Sequence, residues 1–117
     1  MAERKLSSMN YHNQAFLEDK CALNELIYLL SKRWLTEVLF GIEEGNNRFT
    51  GLKESLEYIS DHILANRLKI LEEHDLISKN YTSGNTPRAE YALTKKGEEL
   101  SKLLDGLCSF AETKLSF

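Results

Sequence analysis

The sequence has few of the residues that mark specialised protein classes. It contains two cysteines, Cys21 and Cys108, one proline and three histidines in 117 residues. The cysteines lack a CxxC spacing and the histidines are scattered, so neither a disulfide scaffold nor a metal site is indicated. No apolar run approaches the roughly 20 residues of a membrane span, and the first residues lack the apolar stretch of a secretory signal. We therefore expect a cytoplasmic protein with no metal, no cofactor and no membrane partner.

An excess of positive charge is also missing. The chain has 15 Lys and Arg against 18 Asp and Glu, so its net charge is −3. This total does not exclude nucleic acid, because phosphate contacts are local and need only a basic face. No nucleophile–base pair, glycine-rich phosphate loop or pair of carboxylates is evident, so we do not expect an enzyme. The length allows one domain with one modest core.

The polar first part of the chain predicts a flexible arm over residues 1–13, with a short docked helix as the alternative, followed by a single domain over residues 14–117. An amphipathic helix opens the domain, with the i, i+3, i+4, i+7 stripe formed by Leu23, Leu26, Ile27 and Leu30. Tyr28 and Leu29 lie off this stripe, so the helix is apolar on two sides. It is then either buried within one small domain or shared between that domain and a second subunit.

Helical spacing predicts three further helices before the pattern changes. They cover approximately residues 34–42, 49–56 and 61–75. We expect Thr50 and Ser60 to be the N-caps of the second and third of these. The core face of the third carries Leu64, Leu68 and Leu71.

Period-2 alternation then replaces the helical period. Two short strands, 76–82 and 89–93, flank a turn-forming segment at 83–87 and predict a hairpin. Thr94 is expected to cap a last helix, whose apolar stripe consists of Leu100, Leu103, Leu104, Leu107 and Ala111. The predicted fold class is mainly α with a small β-hairpin wing (α+β), a winged helix-turn-helix with flanking dimerisation helices.

In this motif the second helix of the pair enters the major groove of DNA. If the three leucines face inward, the opposite face presents His62, Asn66 and Lys69. Asn can pair with adenine, Lys can donate to guanine, and His can donate to a base or a phosphate. Glu72 and Glu73 would be repelled by phosphate, so the N-terminal half of the helix should read the DNA.

The predicted DNA-binding set also includes positions at the start of the helix and in the wing. Its members are Ser60, His62, Asn66, Lys69, Lys79 and Arg88. Such a polar face is also compatible with ordinary solvation, and a winged helix also serves as a protein-interaction module without sequence-specific DNA binding. The basic residues of the adjacent hairpin favour DNA.

Several spaced segments resemble the HxlR family of winged-helix regulators, which are related to the MarR group. The matching pieces are Cys21 before the first helix, the segments 30–34 and 68–77, the pairs Arg48-Phe49 and Ile59-Ser60, and the segment 87–97. The resemblance implies a bacterial regulator that binds double-stranded DNA and has no enzymatic activity. It further implies a homodimer, formed by the first and last helices, that reads an inverted repeat.

The resemblance also bears on the cysteines. In several relatives the cysteine before the first helix senses quinones, aldehydes or oxidants, and here that position is Cys21. Its neighbour Lys20 and a helix N-terminus would favour a reactive thiolate, whereas Asp19 and Glu25 oppose it. Cys21 is thus either a redox or electrophile sensor or an inert thiol. Cys108 lies on the apolar stripe of the last helix, where we expect a small buried side chain rather than a resolving thiol.

Overall fold

The computed structural model describes residues 21–117, so the predicted arm over residues 1–13 lies outside the described part. The described chain divides after Arg33 into two compact units. Within residues 21–117 the elements follow in the order α1 (Cys21–Leu30), α2 (Leu35–Glu43), α3 (Phe49–Ser55), α4 (Asp61–Glu73), β1 (Ile77–Tyr81), β2 (Ala89–Leu93) and α5 (Lys95–Lys114). The predicted mainly helical fold with a β-hairpin wing is confirmed, and the predicted bounds agree to within about two residues at most ends.

The first unit contributes α1, which the leucine stripe predicted. Its end is closed by the backbone amide of Ser31, which donates to the carbonyl of Ile27, and by the Ser31 hydroxyl, which donates to the carbonyl of Tyr28. Three large side chains of α1 are exposed, namely Leu23, Ile27 and Tyr28. The helix therefore presents an apolar surface to solvent.

The second unit is built around one core to which every element of that unit except the outer part of α5 contributes. Its buried apolar side chains are Leu35, Val38, Leu39, Ile42, Leu52, Ile59, Leu64, Leu68, Leu71, Leu76, Ile77, Tyr91 and Leu100. Gly41 of α2 allows α3 to approach, since a Cβ there would lie 2.9 Å from Cδ2 of Leu52. The predicted core face of α4 is confirmed.

The helix caps confirm two predictions and correct a third. The Ser60 side chain accepts a hydrogen bond from the amide of Ile63, and that of Thr94 accepts one from Gly97. The prediction that Thr50 caps the third helix is wrong, because α3 begins at Phe49 and Arg48 is the N-cap. Arg48 has extended dihedral angles (φ −130°, ψ 151°), and its side chain forms an ion pair with Glu90. The helix therefore starts at Phe49, two residues before the start that a Thr50 cap would give.

The two strands form the predicted hairpin, which is antiparallel and pairs Ile77 with Leu93 at one end and Tyr81 with Ala89 at the other. At its base, the amide of Thr94 donates to the carbonyl of Leu76. Gly97, in the first turn of α5, allows this approach, because a Cβ there would lie 2.0 Å from that same carbonyl oxygen. The hairpin is thus joined directly to the turn that follows α4.

The last helix is buried only near its start, at Gly97, Leu100 and Ser101. Leu103, Leu107 and Phe110 are exposed. The expectation that Cys108 is buried is wrong for the single chain, since it is an exposed free thiol. The reason is that this half of α5 extends beyond the core, so that the second unit covers its apolar stripe only in part, at Leu104 and Ala111. Within residues 21–117, no helix combines the length and the apolar character needed to cross a membrane.

Candidate nucleic-acid interface

The predicted reading face of α4 is exposed as a whole. His62, Asn66 and Lys69 all reach solvent, whereas Leu64, Leu68 and Leu71 are fully or nearly fully buried. The buried face holds the helix against the core, so the exposed face has a fixed orientation. Ser60 is exposed as well, but its hydroxyl oxygen accepts the capping hydrogen bond, 3.0 Å from the amide of Ile63. Its first role is therefore to start the helix.

The carboxamide of Asn66 has a fixed orientation. Nη1 of Arg67 donates to Oδ1 of Asn66 at 2.5 Å. Because a guanidinium can only donate, the atom facing it must be the carboxamide oxygen rather than the nitrogen. The NH2 group of Asn66 is consequently turned away from Arg67, and its two donors remain for an external acceptor.

One ion pair links the two helices of the helix-turn-helix. Nζ of Lys53 on α3 lies 3.1 Å from Oδ1 of Asp61 in the first turn of α4. Such a surface pair contributes little to stability. Its local effect is to neutralise the carboxylate at the end of α4 that would otherwise repel a phosphate.

The wing carries the other predicted residues. Lys79 and Arg88 are both exposed. Nζ of Lys79 lies 5.5 Å from the centre of the Tyr81 ring. A hydrogen bond to Tyr81, and to a lesser degree the nearby Tyr91, raise the pKa of Lys79 above its ordinary value of 10.5. Lys79 therefore stays positively charged at neutral pH.

Arg88 lies at the mouth of the hairpin loop. Its amide donates to Oγ1 of Thr82 and its carbonyl accepts from the amide of Thr82, both at 2.9 Å. These two bonds fix the backbone of Arg88 and leave its side chain exposed. Gly84 in the loop has φ of +118°, a conformation that side-chain-bearing residues rarely adopt.

The wing is anchored at both ends of the helix-turn-helix. At the start of α3, Arg48 forms an ion pair of 3.0 Å with Glu90 of β2. The amide of Tyr91 donates to the carbonyl of Asn47 at 2.8 Å. After α4, the Thr94 hydroxyl donates to the carbonyl of Asp75 at 2.6 Å. These contacts fix the basic residues of the wing relative to the reading face of α4.

The structure thus brings the reading face of α4 and the wing together in the second unit, whereas Cys21 belongs to the first unit. Cys21 is the first residue of α1, and its side chain lies outside the described part of the structure. Whether any of the predicted DNA-binding residues touches DNA stays a prediction.

The sequence patterns did not indicate that Arg67 and Lys53 belong to the site. Arg67 is 100° around the helix from Asn66, and residues at i and i+1 do not ordinarily face each other. A helical wheel therefore assigned it to neither the core nor the reading face. Lys53 was not detectable, because its partner lies on a different helix.

Comparison with known proteins places the chain in a family. A model described as HxlR-like helix-turn-helix matches residues 29–116. The uncharacterized HTH-type transcriptional regulator YtfH of Escherichia coli is 28% identical over 115 residues, which cover 98% of this chain and 90% of that protein. A solved protein of Enterococcus faecalis assigned to the MarR family of regulators has a TM-score of 0.77 at 26% identity, covering 83% of this chain and 88% of that one.

A third relative has been studied in several chemical states. The HTH-type transcriptional regulator YodB of Bacillus subtilis is 30% identical over 84 residues, covering 72% of this chain and 75% of that protein. The structure of its reduced form has a TM-score of 0.73 at 27% identity, covering 80% of this chain and 91% of that one. Structures of diamide-treated and quinone-bound YodB are also known. The relatives are regulators rather than enzymes, and the present chain belongs to the HxlR-like helix-turn-helix family, as a transcriptional regulator with a helix-turn-helix DNA-binding domain.

Proposed function

We propose that the protein binds an inverted-repeat operator as a homodimer, with α4 of each subunit in a major groove and the wing beside it. The observation that carries the proposal is the exposed polar face of α4, His62, Asn66 and Lys69, held at a fixed position beside the basic residues of the wing. A B-DNA major groove is about 12 Å wide and admits a helix of this kind.

In the proposed complex the bases are read by the N-terminal half of α4. Asn66 offers its NH2 donors to acceptors on a base edge, and Lys69 donates to guanine O6 or N7. His62 donates to a base or a phosphate. Glu72 and Glu73 are exposed at the far end of the helix, where repulsion from phosphate keeps that end out of the groove.

The wing supplies contacts that do not depend on sequence. Arg88 and Lys79 are exposed cations on the hairpin, suited to phosphates or to a minor groove. Each cation that replaces a counterion on the phosphates makes binding more salt-dependent. The wing therefore contributes affinity, whereas α4 contributes specificity.

The two described units each support a homodimer. On α1, Leu23, Ile27 and Tyr28 are 47%, 54% and 69% exposed, and on α5, Leu103 and Leu107 are 66% and 61% exposed. Large apolar residues clustered on helix faces are typical of permanent subunit interfaces. A second copy of the chain that covers these residues on each helix would remove them from water.

The test is a salt titration of binding to a cognate duplex and to random DNA. Asn66→Ala should lose about 1–3 kcal/mol at the cognate duplex and relax its sequence preference. Arg88→Ala should weaken binding to both duplexes and flatten the dependence of log Kd on log salt. Lys102→Ala removes an exposed cation of α5 that has no proposed contact with DNA and is the matched control. If both variants bound as the wild type and the control do, the proposed helix or the proposed partner would be wrong.

The proposed signal is an oxidant or an electrophile that reacts at Cys21. Its support is the position of Cys21 at the start of α1 and the similarity to YodB, which has been solved after diamide treatment and with a bound quinone. A change at α1 would act on the dimer and so on the spacing of the two α4 helices, which must match about 34–36 Å.

The signal is tested by adding diamide or a quinone to the DNA complex. Wild-type protein should release DNA, Cys21→Ser should not, and Cys108→Ser is the matched thiol control. If Cys108→Ser also prevents release and a non-reducing gel shows a dimer band, the two thiols form an intersubunit disulfide. Release from Cys21→Ser equal to that of the wild type would refute a sensing role for Cys21.

A further inference from the structure

A tyrosine in the turn between α3 and α4 occupies an unfavourable position. Tyr58 has φ of +74°, in the left-handed region that favours glycine. For a bulky residue this conformation is rare and destabilising. Its side chain is 92% exposed, about as much as that of Phe117, the last residue of the chain.

Neither the backbone nor the packing of the free protein explains a tyrosine at this position. Trp34 also has a left-handed backbone, with φ of +77°, but it is half-buried. Packing can offset strain at Trp34, whereas the ring of Tyr58 has almost no contact with the protein. Ile59, the next residue, is 3% exposed and fixes the turn against the core. The backbone of the turn is therefore held in place, and the ring of Tyr58 extends from it into solvent.

The position of Tyr58 relative to α4 indicates what the ring meets. It lies two residues before Ser60, the N-cap of the helix that we propose enters the major groove. The groove is about 12 Å wide and a helix with its side chains about 10–12 Å. The residue that flanks the N-terminus of a helix docked in this way must therefore stand against a groove wall, which consists of phosphates and sugars.

The charges around Tyr58 favour a neutral donor there. Glu57 precedes it and is exposed, and Asp61 of α4 is paired with Lys53. A phenol hydroxyl can donate to a phosphate oxygen without a charge of its own. We infer that Tyr58 is a DNA contact whose hydroxyl donates to a backbone phosphate at the edge of the groove that holds α4. This inference rests on the proposed docking of α4.

Two substitutions separate the contact from the fold. Tyr58→Phe keeps the ring and the backbone and removes only the hydroxyl. It should weaken operator binding on the order of tenfold for a dimer with two such contacts. The slope of log Kd against log salt should stay that of the wild type, because a neutral donor releases no counterion. Tyr58→Gly relieves the left-handed backbone, so its Tm should equal or exceed that of the wild type while it binds DNA less tightly.

Asn66→Ala, measured in the same titrations, separates failure of this inference from failure of the proposed function. If Asn66→Ala loses affinity while Tyr58→Phe binds as the wild type does, α4 reads DNA but Tyr58 does not contact it. If neither variant changes binding, the docking of α4 is itself wrong. If Tyr58→Phe instead dissociates the dimer in light scattering, the Tyr58 hydroxyl contacts the partner subunit, and the DNA contact is refuted.

Discussion

Gly97 is predicted to hold the wing in place, and its replacement by alanine should be destabilising although alanine is the better helix former. A Cβ at this position would lie 2.0 Å from the carbonyl oxygen of Leu76. An ordinary carbon–oxygen contact is about 3.3 Å, so the start of α5 would have to move by about 1.3 Å. The hydrogen bonds from Thr94 to Leu76 and Asp75, 3.1 and 2.6 Å long, lie at the same junction and would be stretched.

The expected magnitude follows from two opposing effects. Overpacking of this kind costs about 1–3 kcal/mol, and a weakened hydrogen bond about 1 kcal/mol more. Replacing glycine by alanine within a helix gains about 1 kcal/mol. Gly97→Ala should therefore lower the free energy of unfolding by about 2 kcal/mol, which is a fall in Tm of about 10 °C.

Gly106 is the matched control on the same helix. A Cβ there would have no heavy atom of the same chain within 4 Å, so Gly106→Ala should raise the stability of the subunit by up to about 1 kcal/mol. Both variants are measured by thermal and urea unfolding followed by circular dichroism, at one protein concentration because the proposed dimer makes Tm concentration-dependent. If Gly97→Ala is as stable as the wild type, the contact between α5 and the end of α4 is not as close as described.

Three further outcomes are expected. Leu107→Glu places a charge on the exposed stripe of α5 and should yield a monomer in light scattering; a dimer would contradict the proposed interface. Arg67→Ala frees the carboxamide of Asn66 and should reduce discrimination between cognate and mismatched duplexes more than it reduces affinity for random DNA, and an equal loss on both would make Arg67 a simple phosphate contact. Burial raises the pKa of Tyr91 above its ordinary value of 10.0, opposed by the charge of Lys79. The unfolded chain therefore loses the Tyr91 proton at a lower pH than the folded protein does, so the free energy of unfolding should fall as pH rises above about 10. The fall should be smaller in Tyr91→Phe. If the wild type and Tyr91→Phe lose the same stability at alkaline pH, burial of Tyr91 is not the cause.

The fold was largely predictable because its helices are strongly periodic. The leucines of α4 and the change to a period of two at β1 identified the helix-turn-helix and its wing, and Ser60 and Thr94 identified two helix starts. The prediction that Thr50 is the N-cap of α3 was wrong because the start of α3 depends on the backbone of Arg48. The side chain of Arg48 pairs with Glu90, a strand residue 42 positions along the chain. No local pattern contains that contact.

The site was predictable only in part, for a related reason. Helical spacing located the exposed face of α4, but it could not reveal that Arg67 orients Asn66. Tyr58 gave no signal, because neither its positive φ nor its exposure follows from a local residue pattern. Cys108 was misjudged because an apolar stripe indicates burial without telling whether the partner is the same chain or another copy.

The central claim, that α4 of a homodimer reads the operator, is tested most directly by selecting bound sequences from a random duplex library. The wild type should enrich an inverted repeat whose half-sites are about 10–10.5 bp apart, or a multiple of this. Asn66→Ala should lose its preference at one symmetric pair of positions and keep the rest. Enrichment of no inverted repeat, or of the same sequences by both proteins, would contradict the claim.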